Sequence, residues 1–380
     1  MKIKTIEYHD KKSGWKLNPV DFSDQNLALL VGVSGAGKTQ IINAVMNLKK
    51  IANGASLNGV KWNITFSAEN GADYCWQGEF ENKELSEKIP VGDSFGEDEQ
   101  FEIIYEKLSS GQTEIIKRDK NGIEFNGIRT PKLSPFQSIV SLLYNEDAIA
   151  PIYNSLIKIN YSNQSDRIVK TTFRIPVAKH DILLNPELIK DIQKKNWPLE
   201  MKLAIVYINT SGIFNKIKKH FIDIFPQVKD IKYESVREES NKGPEFSFPL
   251  QIKEKDVDNW IHQSVISSGM LRTFYHICEI YLMAEGSVIL IDEFENSLGV
   301  NCIDVITENL LDKSRNLQYI VTSHHPYIIN NISMEHWKIV TRKGGTVTVK
   351  DAKDFNLGKT KHSAFIELLQ LEEYTDGIEC

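Results

Sequence analysis

Eight residues from Gly32 to Thr39, GVSGAGKT, have the types and the spacing needed to cradle a phosphate chain. Gly32, Ser34, Gly35, Ala36 and Gly37 are small enough for successive backbone N–H groups to turn inward. Lys38 then reaches the outer phosphates and Thr39 offers its hydroxyl to a magnesium ion. A glycine-rich structural turn is the other use of such a stretch. The flanks favour the cradle, because NLALLV before it is an apolar run suited to a buried strand and QIINAVMNLKK after it has helical periodicity. A strand, a tight loop and a helix N-terminus therefore coincide, and that N-terminus presents unpaired N–H groups and partial positive charge to an anion.

A second chemical signature lies far along the chain. In SVILIDEFENSLG the apolar run Val288–Ile291 leads into Asp292 and Glu293. An acid at the end of a buried strand places Asp292 beside a magnesium ion, while Glu293 points beyond the last phosphate, where it would polarise an attacking water. A solvated strand cap is the plainer alternative. In ISSGMLRTFYHICEIYLM, Ser267, Ser268 and Gly269 precede a long helical pattern, which is either ordinary N-capping or a second anion-facing helix start. In LQYIVTSHHPYIINN an apolar strand ends at Thr322 and Ser323, which puts His324 at its tip, placed to sense a terminal phosphate. The adjacent His325 reads as structural. Gln137, in KLSPFQSIVSLLYN, stands between a proline turn and an apolar helix as a candidate site-lining residue.

The elements that must position these residues divide the chain into three segments: 1–134 around the glycine loop, 135–262, and 263–380 around the acidic strand. Between Lys61 and Thr130, KWNITFSA, DYCWQGEF, FEIIYEKL, TEIIKRD and GIEFNG alternate apolar and polar residues between turn signals, which predicts antiparallel strands. From about Pro135 to Phe225 the pattern turns helical, including PELIKDIQKKNW and IFNKIKKHFIDIF. VREESNKGPEFSF predicts a hairpin with its tip at Asn241–Pro244, TRKGGTVTVKD a hairpin turned by Gly344 and Gly345, and HSAFIELLQLEEYTDGIEC an amphipathic helix. The expected fold class is α/β.

Composition sets the boundaries. A chain of 380 residues with 41% hydrophobic content can build a real core. No apolar run is long enough to span a membrane and the N-terminus lacks the apolar region of a signal peptide, so a cytoplasmic protein without a membrane partner is expected. The four cysteines lack C-x-x-C spacing, which argues against a zinc site or a disulfide framework. A net charge of −6 makes the whole chain no magnet for nucleic acid, although the lysines of FNKIKKHF and DIQKKNW leave either a solvated helix face or a phosphate-tracking surface open.

In order and spacing, GVSGAGKT, PFQS, SSGML, ILIDEFENSLG and TSHHP resemble the ABC-type P-loop ATPases of the RecF, SMC and OLD group. They stand nearest to the small AAA-family, AbiEii-like ATPases of bacterial anti-phage and abortive-infection systems. The resemblance covers roughly 1–60 and 260–345. It implies an ATPase head with an antiparallel β subdomain and an inserted helical lobe, using ATP and Mg2+. It further implies a homodimer or higher oligomer with ATP at the interface, in which Ser268 and Gly269 act across to the partner's nucleotide and Ser297 lies in the loop joining the two sites. It assigns Gln137 to the metal alongside Thr39 and Asp292, and Lys38, Glu293 and His324 to the chemistry. Tyr8 or Trp15 would stack on the base, unless they are packing residues. The pattern departs from transporter cassettes at Met270, where those have a second glycine. It departs from SMC proteins in lacking heptads, and from OLD nucleases in lacking an acidic cluster after His324. A separate effector chain, a toxin or nuclease, is the expected partner; a RecF-like DNA clamp is the alternative.

Overall fold

The computed structural model describes all residues except 24, 85–98, 163–172, 241–242, 297, 299, 312–313, 356, 359, 376 and 380. The chain forms two compact units, one of Met1–Tyr161, Gly286–Glu293 and Asn316–Cys380, the other of Ser162–Glu285 and Phe294–Arg315. This differs from the three consecutive segments read from sequence. Residues 135–161 stay with the glycine loop, and the chain leaves and re-enters the first unit, so each unit is assembled from distant stretches.

In chain order the strands are β1 (Lys2–Asp10), β2 (Trp15–Asp21), β3 (Leu27–Val31), β4 (Val60–Ser67), β5 (Asp73–Phe80), β6 (Ile103–Ser110), β7 (Thr113–Asp119), β8 (Gly122–Phe125), β9 (Ile128–Arg129) and β10 (Ile159–Tyr161). The second unit contributes β11 (Phe173–Pro176), β12 (Val228–Lys232), β13 (Val236–Ser240), β14 (Gly243–Phe248), β15 (Gln251–Glu254) and β16 (Ile261–His262). The first unit then adds β17 (Val288–Ile291), β18 (Gln318–Thr322), β19 (Trp337–Lys343), β20 (Thr346–Asp351) and β21 (Ile378–Glu379). The helices are α1 (Lys38–Ala52), α2 (Ile139–Leu142), α3 (Ala150–Leu156), α4 (Val177–Leu183), α5 (Leu199–Ile208), α6 (Gly212–Ile224), α7 (Ser268–Leu282), α8 (Val300–Leu311), α9 (Pro326–Asn331), α10 (Lys361–Leu368) and α11 (Glu372–Thr375).

One large sheet organises the first unit, in the order β10-β17-β18-β3-β19-β20-β2-β1-β4-β5-β6-β7-β8-β9, with β21 added on β19. Its first five strands are mutually parallel. β3 and β18 are buried along their whole length, as strands covered on both faces must be, which is why LALLV and QYIVT read as unbroken runs. From β1 onward the pairing is antiparallel and burial alternates. Val60, Trp62, Ile64 and Phe66 of β4 point into the core together with Tyr74, Trp76 and Phe80 of β5. The antiparallel strands expected between 61 and 130 all form, and they extend the same sheet through β20, β2 and β1.

α1 packs on this sheet with Ile41, Ile42, Val45, Leu48 and Ile51, each worth roughly 1.5–3 kcal/mol when buried, while Lys49 and Lys50 in its last turn suit its negative end. Below it Glu106 of β6, fully buried, accepts hydrogen bonds from Trp76 Nε1 (3.1 Å), Ile139 N (3.0 Å) and Ser138 Oγ, and faces Arg118 at 3.8 Å. Arg118 in turn donates to the carbonyls of Ser134 (3.0 Å) and Gln137 (2.9 Å), so this buried pair fixes the 134–138 turn. A charge so buried is tolerable because it is paired and hydrogen-bonded.

In the second unit α6 forms as its periodicity predicts, with Phe214, Ile217, Phe221 and Ile224 buried, and Phe221 meets Phe274 of α7 edge-on at 5.6 Å. The helix expected over PELIKDIQKKNW does not form. Only a 3-10 turn, Pro186–Ile189, is present, because Asp191 adopts φ +63°, outside the range that an α-helix needs. The hairpin β13–β14 pairs Ser240 with Gly243; its predicted tip residues Asn241 and Lys242 lie outside the described residues. The β19–β20 hairpin turns at Gly344, φ +54°. The C-terminal amphipathic helix is shorter than expected, α10 being followed by α11 and by β21.

Candidate functional site

Three parallel strands bring the chemistry together at their C-terminal ends. The register aligns Leu30 of β3 with Thr322 of β18, and Ile291 of β17 with Val321, so the glycine loop, the acidic pair and His324 leave the sheet side by side. That edge is where open parallel sheets bind ligands. A cleft of about 320 Å³ opens there. It is lined by Ser34, Gly35, Gly37, Lys38, Thr39 and Gln40 of the glycine loop and the start of α1, by Asp292, Glu293, Thr322 and His324 at the ends of β17 and β18, and by Arg342 of β19 on the far side of β3.

The loop is shaped by its glycines. A Cβ on Gly32 would stand 2.5 Å from Val340 O of the adjacent β19, and one on Gly37, which caps α1 at φ +104°, would stand 2.6 Å from Val347. Both positions therefore exclude any side chain. Gly32 and Ala36 are buried and form the base of the loop, while Ser34 and Gly35 are exposed above it. Lys38 Nζ donates to the carbonyls of Gly32 (2.7 Å) and Val33 (3.0 Å), which holds the ammonium over the loop that its phosphate ligand would occupy.

Across the cleft Thr322 ties the acidic pair in place. Its hydroxyl donates to Asp292 Oδ1 (2.5 Å) and accepts from the Glu293 backbone N–H (2.8 Å). Glu293 has φ +49°, a left-handed conformation that costs a non-glycine residue about 1–2 kcal/mol and recurs at functional sites. The exposed Glu293 carboxylate is thereby presented from a strained turn, and exposed His324 lies beside it along the cleft. Asp292 keeps a second carboxylate oxygen, and with the Thr39 hydroxyl it offers the hard oxygen donors that magnesium prefers when phosphates and waters complete its shell. These residues fit the ion.

The family described as "AAA domain, putative AbiEii toxin, Type IV TA system" matches residues 27–330, well over half of the chain. The chain belongs to this family. No curated protein matches it in sequence. Among solved structures, the SMC head bound to the C-terminal winged-helix domain of ScpA is similar in fold, with a TM-score of 0.52 at 13% identity over 92% of this chain and 97% of that one. The SMC head domain from Thermotoga maritima aligns with a TM-score of 0.43 at 11% identity, over 92% of this chain and 99% of that one. The chain thus carries an AAA domain by family and an SMC-head-like fold by structure, and its cleft brings the glycine loop and the two carboxylates together.

Not every residue singled out from sequence reaches the cleft. Gln137 does not. Its side-chain amide lies 3.0 Å from where a Gly54 Cβ would stand, just beyond the C-terminal end of α1. At 1.5 Å rise per residue that is about 20 Å from Thr39. Its carbonyl is held there by Arg118, so the metal role is withdrawn for this residue. Tyr8 and Trp15 are likewise core residues, 2% and 5% exposed, with ring centroids 5.7 Å apart. Tyr8 accepts a hydrogen bond from Asn47 (2.9 Å), and burial pushes its phenol pKa well up. Stacking on a base is excluded for both in this arrangement.

Ser268 and Gly269 open α7 in the second unit, and among the described residues the cleft is lined by the first unit. Ser267 is the cap, accepting from Met270 N at 3.3 Å, which leaves Ser268 exposed at the first helical position. Ser297 lies outside the described residues. His325 caps α9 by accepting from Tyr327 N at 3.2 Å, in line with its structural reading. Sequence reasoning missed Thr322, Gln40 and Arg342 as cleft residues. Thr322 was legible as the last residue of β18, but Arg342 sits on a strand with no nucleotide signature.

Proposed function

We propose that this chain binds Mg-ATP in the cleft and hydrolyses it, and that ATP-dependent dimerisation couples this cycle to a separate effector protein in bacterial anti-phage defence. The single observation that carries the ATP reading is the convergence of Lys38 and Thr39 with Asp292, Glu293 and His324, from three distant stretches, at one sheet edge. Lys38 and the loop N–H groups hold the phosphates, and Thr39 and Asp292 hold magnesium. The ion supplies charge neutralisation on the phosphates when bound. Glu293 accepts a hydrogen bond from the attacking water and aligns it, and His324 contacts the terminal phosphate. In this reading Ser268 and Gly269, exposed or half-exposed at the start of α7, complete the site of a second subunit. The family description supports a toxin–antitoxin type of context, and one SMC head relative binds the separate protein ScpA, which supports an ATPase that works through a partner.

The test is Glu293→Gln. It should keep ATP bound and lower phosphate release by about 10²–10⁴-fold, the scale of a missing general base. Unchanged turnover would remove Glu293 from the mechanism. On the same variant, light scattering should show ATP-dependent dimers that Ser268→Arg abolishes; a monomer throughout would overturn the assembly. Co-purification with the product of a neighbouring reading frame supports the effector. Salt-sensitive binding to duplex DNA by the protein alone would favour a clamp instead.

A further inference from the structure

The cleft has a second cation that the glycine-loop pattern does not predict. Arg342 lies on β19, the strand beside β3, where Ile339 aligns with Val31 and Val340 O meets Gly32. Beyond the end of that pairing Arg342 lines the cleft together with Ser34 and Gly35. β21 confirms the neighbourhood: its Ile378 pairs with Arg342, Arg342 N donates to Gly377 O at 2.7 Å, and Ile378 Cδ1 stands 3.2 Å from where a Gly35 Cβ would be. The guanidinium is oriented by its Nε, which donates to Gly344 O at 2.6 Å. Among the described residues it forms no ion pair, although it lines the same cleft as two carboxylates.

We propose that Arg342 is a second, pre-oriented cation for the phosphate chain of the nucleotide, seated on the Ser34–Gly35 side of the loop and clamped by β21. This rests on the reading of the cleft as a nucleotide site. Charge supports it: Lys38 and Arg342 are the two permanently cationic side chains of the described lining, and a phosphate chain is attracted by both. Geometry supports it too. With Nε committed to Gly344 O, the terminal nitrogens form the part of the fork that binds phosphate oxygens in pairs, which an ammonium cannot do.

The experiment is calorimetric binding of ATP, ADP and AMP with magnesium to the full chain carrying Arg342→Gln, which keeps the stem and an amide donor for Gly344 O, with Arg342→Lys and Lys38→Ala beside it. Arg342→Gln should weaken ATP by about tenfold to a hundredfold, the scale of a lost charge-assisted hydrogen bond, with progressively smaller losses for ADP and AMP. Arg342→Lys should recover part of the ATP loss. Equal losses for ATP and AMP, or wild-type ATP affinity in Arg342→Gln while Lys38→Ala binds nothing, would overturn this inference alone. Wild-type binding in Lys38→Ala would instead overturn the nucleotide reading beneath it.

Discussion

Replacing Thr322 with valine removes one hydroxyl at nearly constant volume and should cost catalysis far more than nucleotide binding. The hydroxyl is 1% exposed in its residue and serves both members of the acidic pair, donating to Asp292 Oδ1 and accepting from Glu293 N. Deleting it leaves a buried donor and a carboxylate oxygen without this partner, at about 1–3 kcal/mol. The left-handed turn at Glu293 stores about 1–2 kcal/mol. The two quantities are of the same size, so loss of the tie is enough to let the turn relax and carry the Glu293 carboxylate away from the position proposed for aligning water. A displacement on the order of 1 Å is worth about a hundredfold in rate. Single-turnover phosphate release by Thr322→Val should therefore fall about a hundredfold, with ATP affinity within about threefold of wild type. Melting should come a few degrees lower. Thr322→Ser, which keeps the hydroxyl, should stay close to wild type. Turnover of Thr322→Val within twofold of wild type would show that the strained turn is held without Thr322 and would refute the argument.

Two further substitutions test the loop and the withdrawn metal role. Gly32→Ala drives a methyl to 2.5 Å from Val340 O between two paired strands, and should destabilise the first unit by about 3 kcal/mol or more in denaturant titration, whereas Gly71→Ala, with open space around its Cβ, should cost only the strain of its φ +77°. Gln137→Ala should leave kcat and the magnesium dependence of hydrolysis within twofold of wild type; a large rise in the magnesium requirement would return Gln137 to the site.

Local patterns were enough for most of the elements and for all of the cleft lining except Gln40, Thr322 and Arg342. NLALLV followed by GVSGAGKT specifies strand, loop and helix start within a few residues, because only glycine permits the backbone angles at Gly35 and Gly37 and only a helix start presents its N–H groups together. The acidic pair and His324 were legible for the same reason, each following an apolar run that can only be a buried strand. The 186–197 helix was misread because its apolar spacing is helical while Asp191 turns left-handed, a conformation that periodicity does not register.

What the tertiary structure alone decided is which of these pieces meet. Gln137 has the right type and follows a turn, yet Glu106 and Arg118, buried across the sheet, anchor it at the far end of α1. Arg342 carries no motif, and nothing in TSHHP says what the Thr322 hydroxyl will tie together. Both residues enter the cleft because β19 and β18 flank β3, and strand order depends on hydrogen bonding between segments hundreds of residues apart. Sequence alone therefore located the glycine loop and the acidic pair that shares its cleft, each of which lies in contiguous residues. The residues that hold Glu293 in its strained turn, and that bring a second cation to the loop, were set by long-range pairing, which no local pattern encodes.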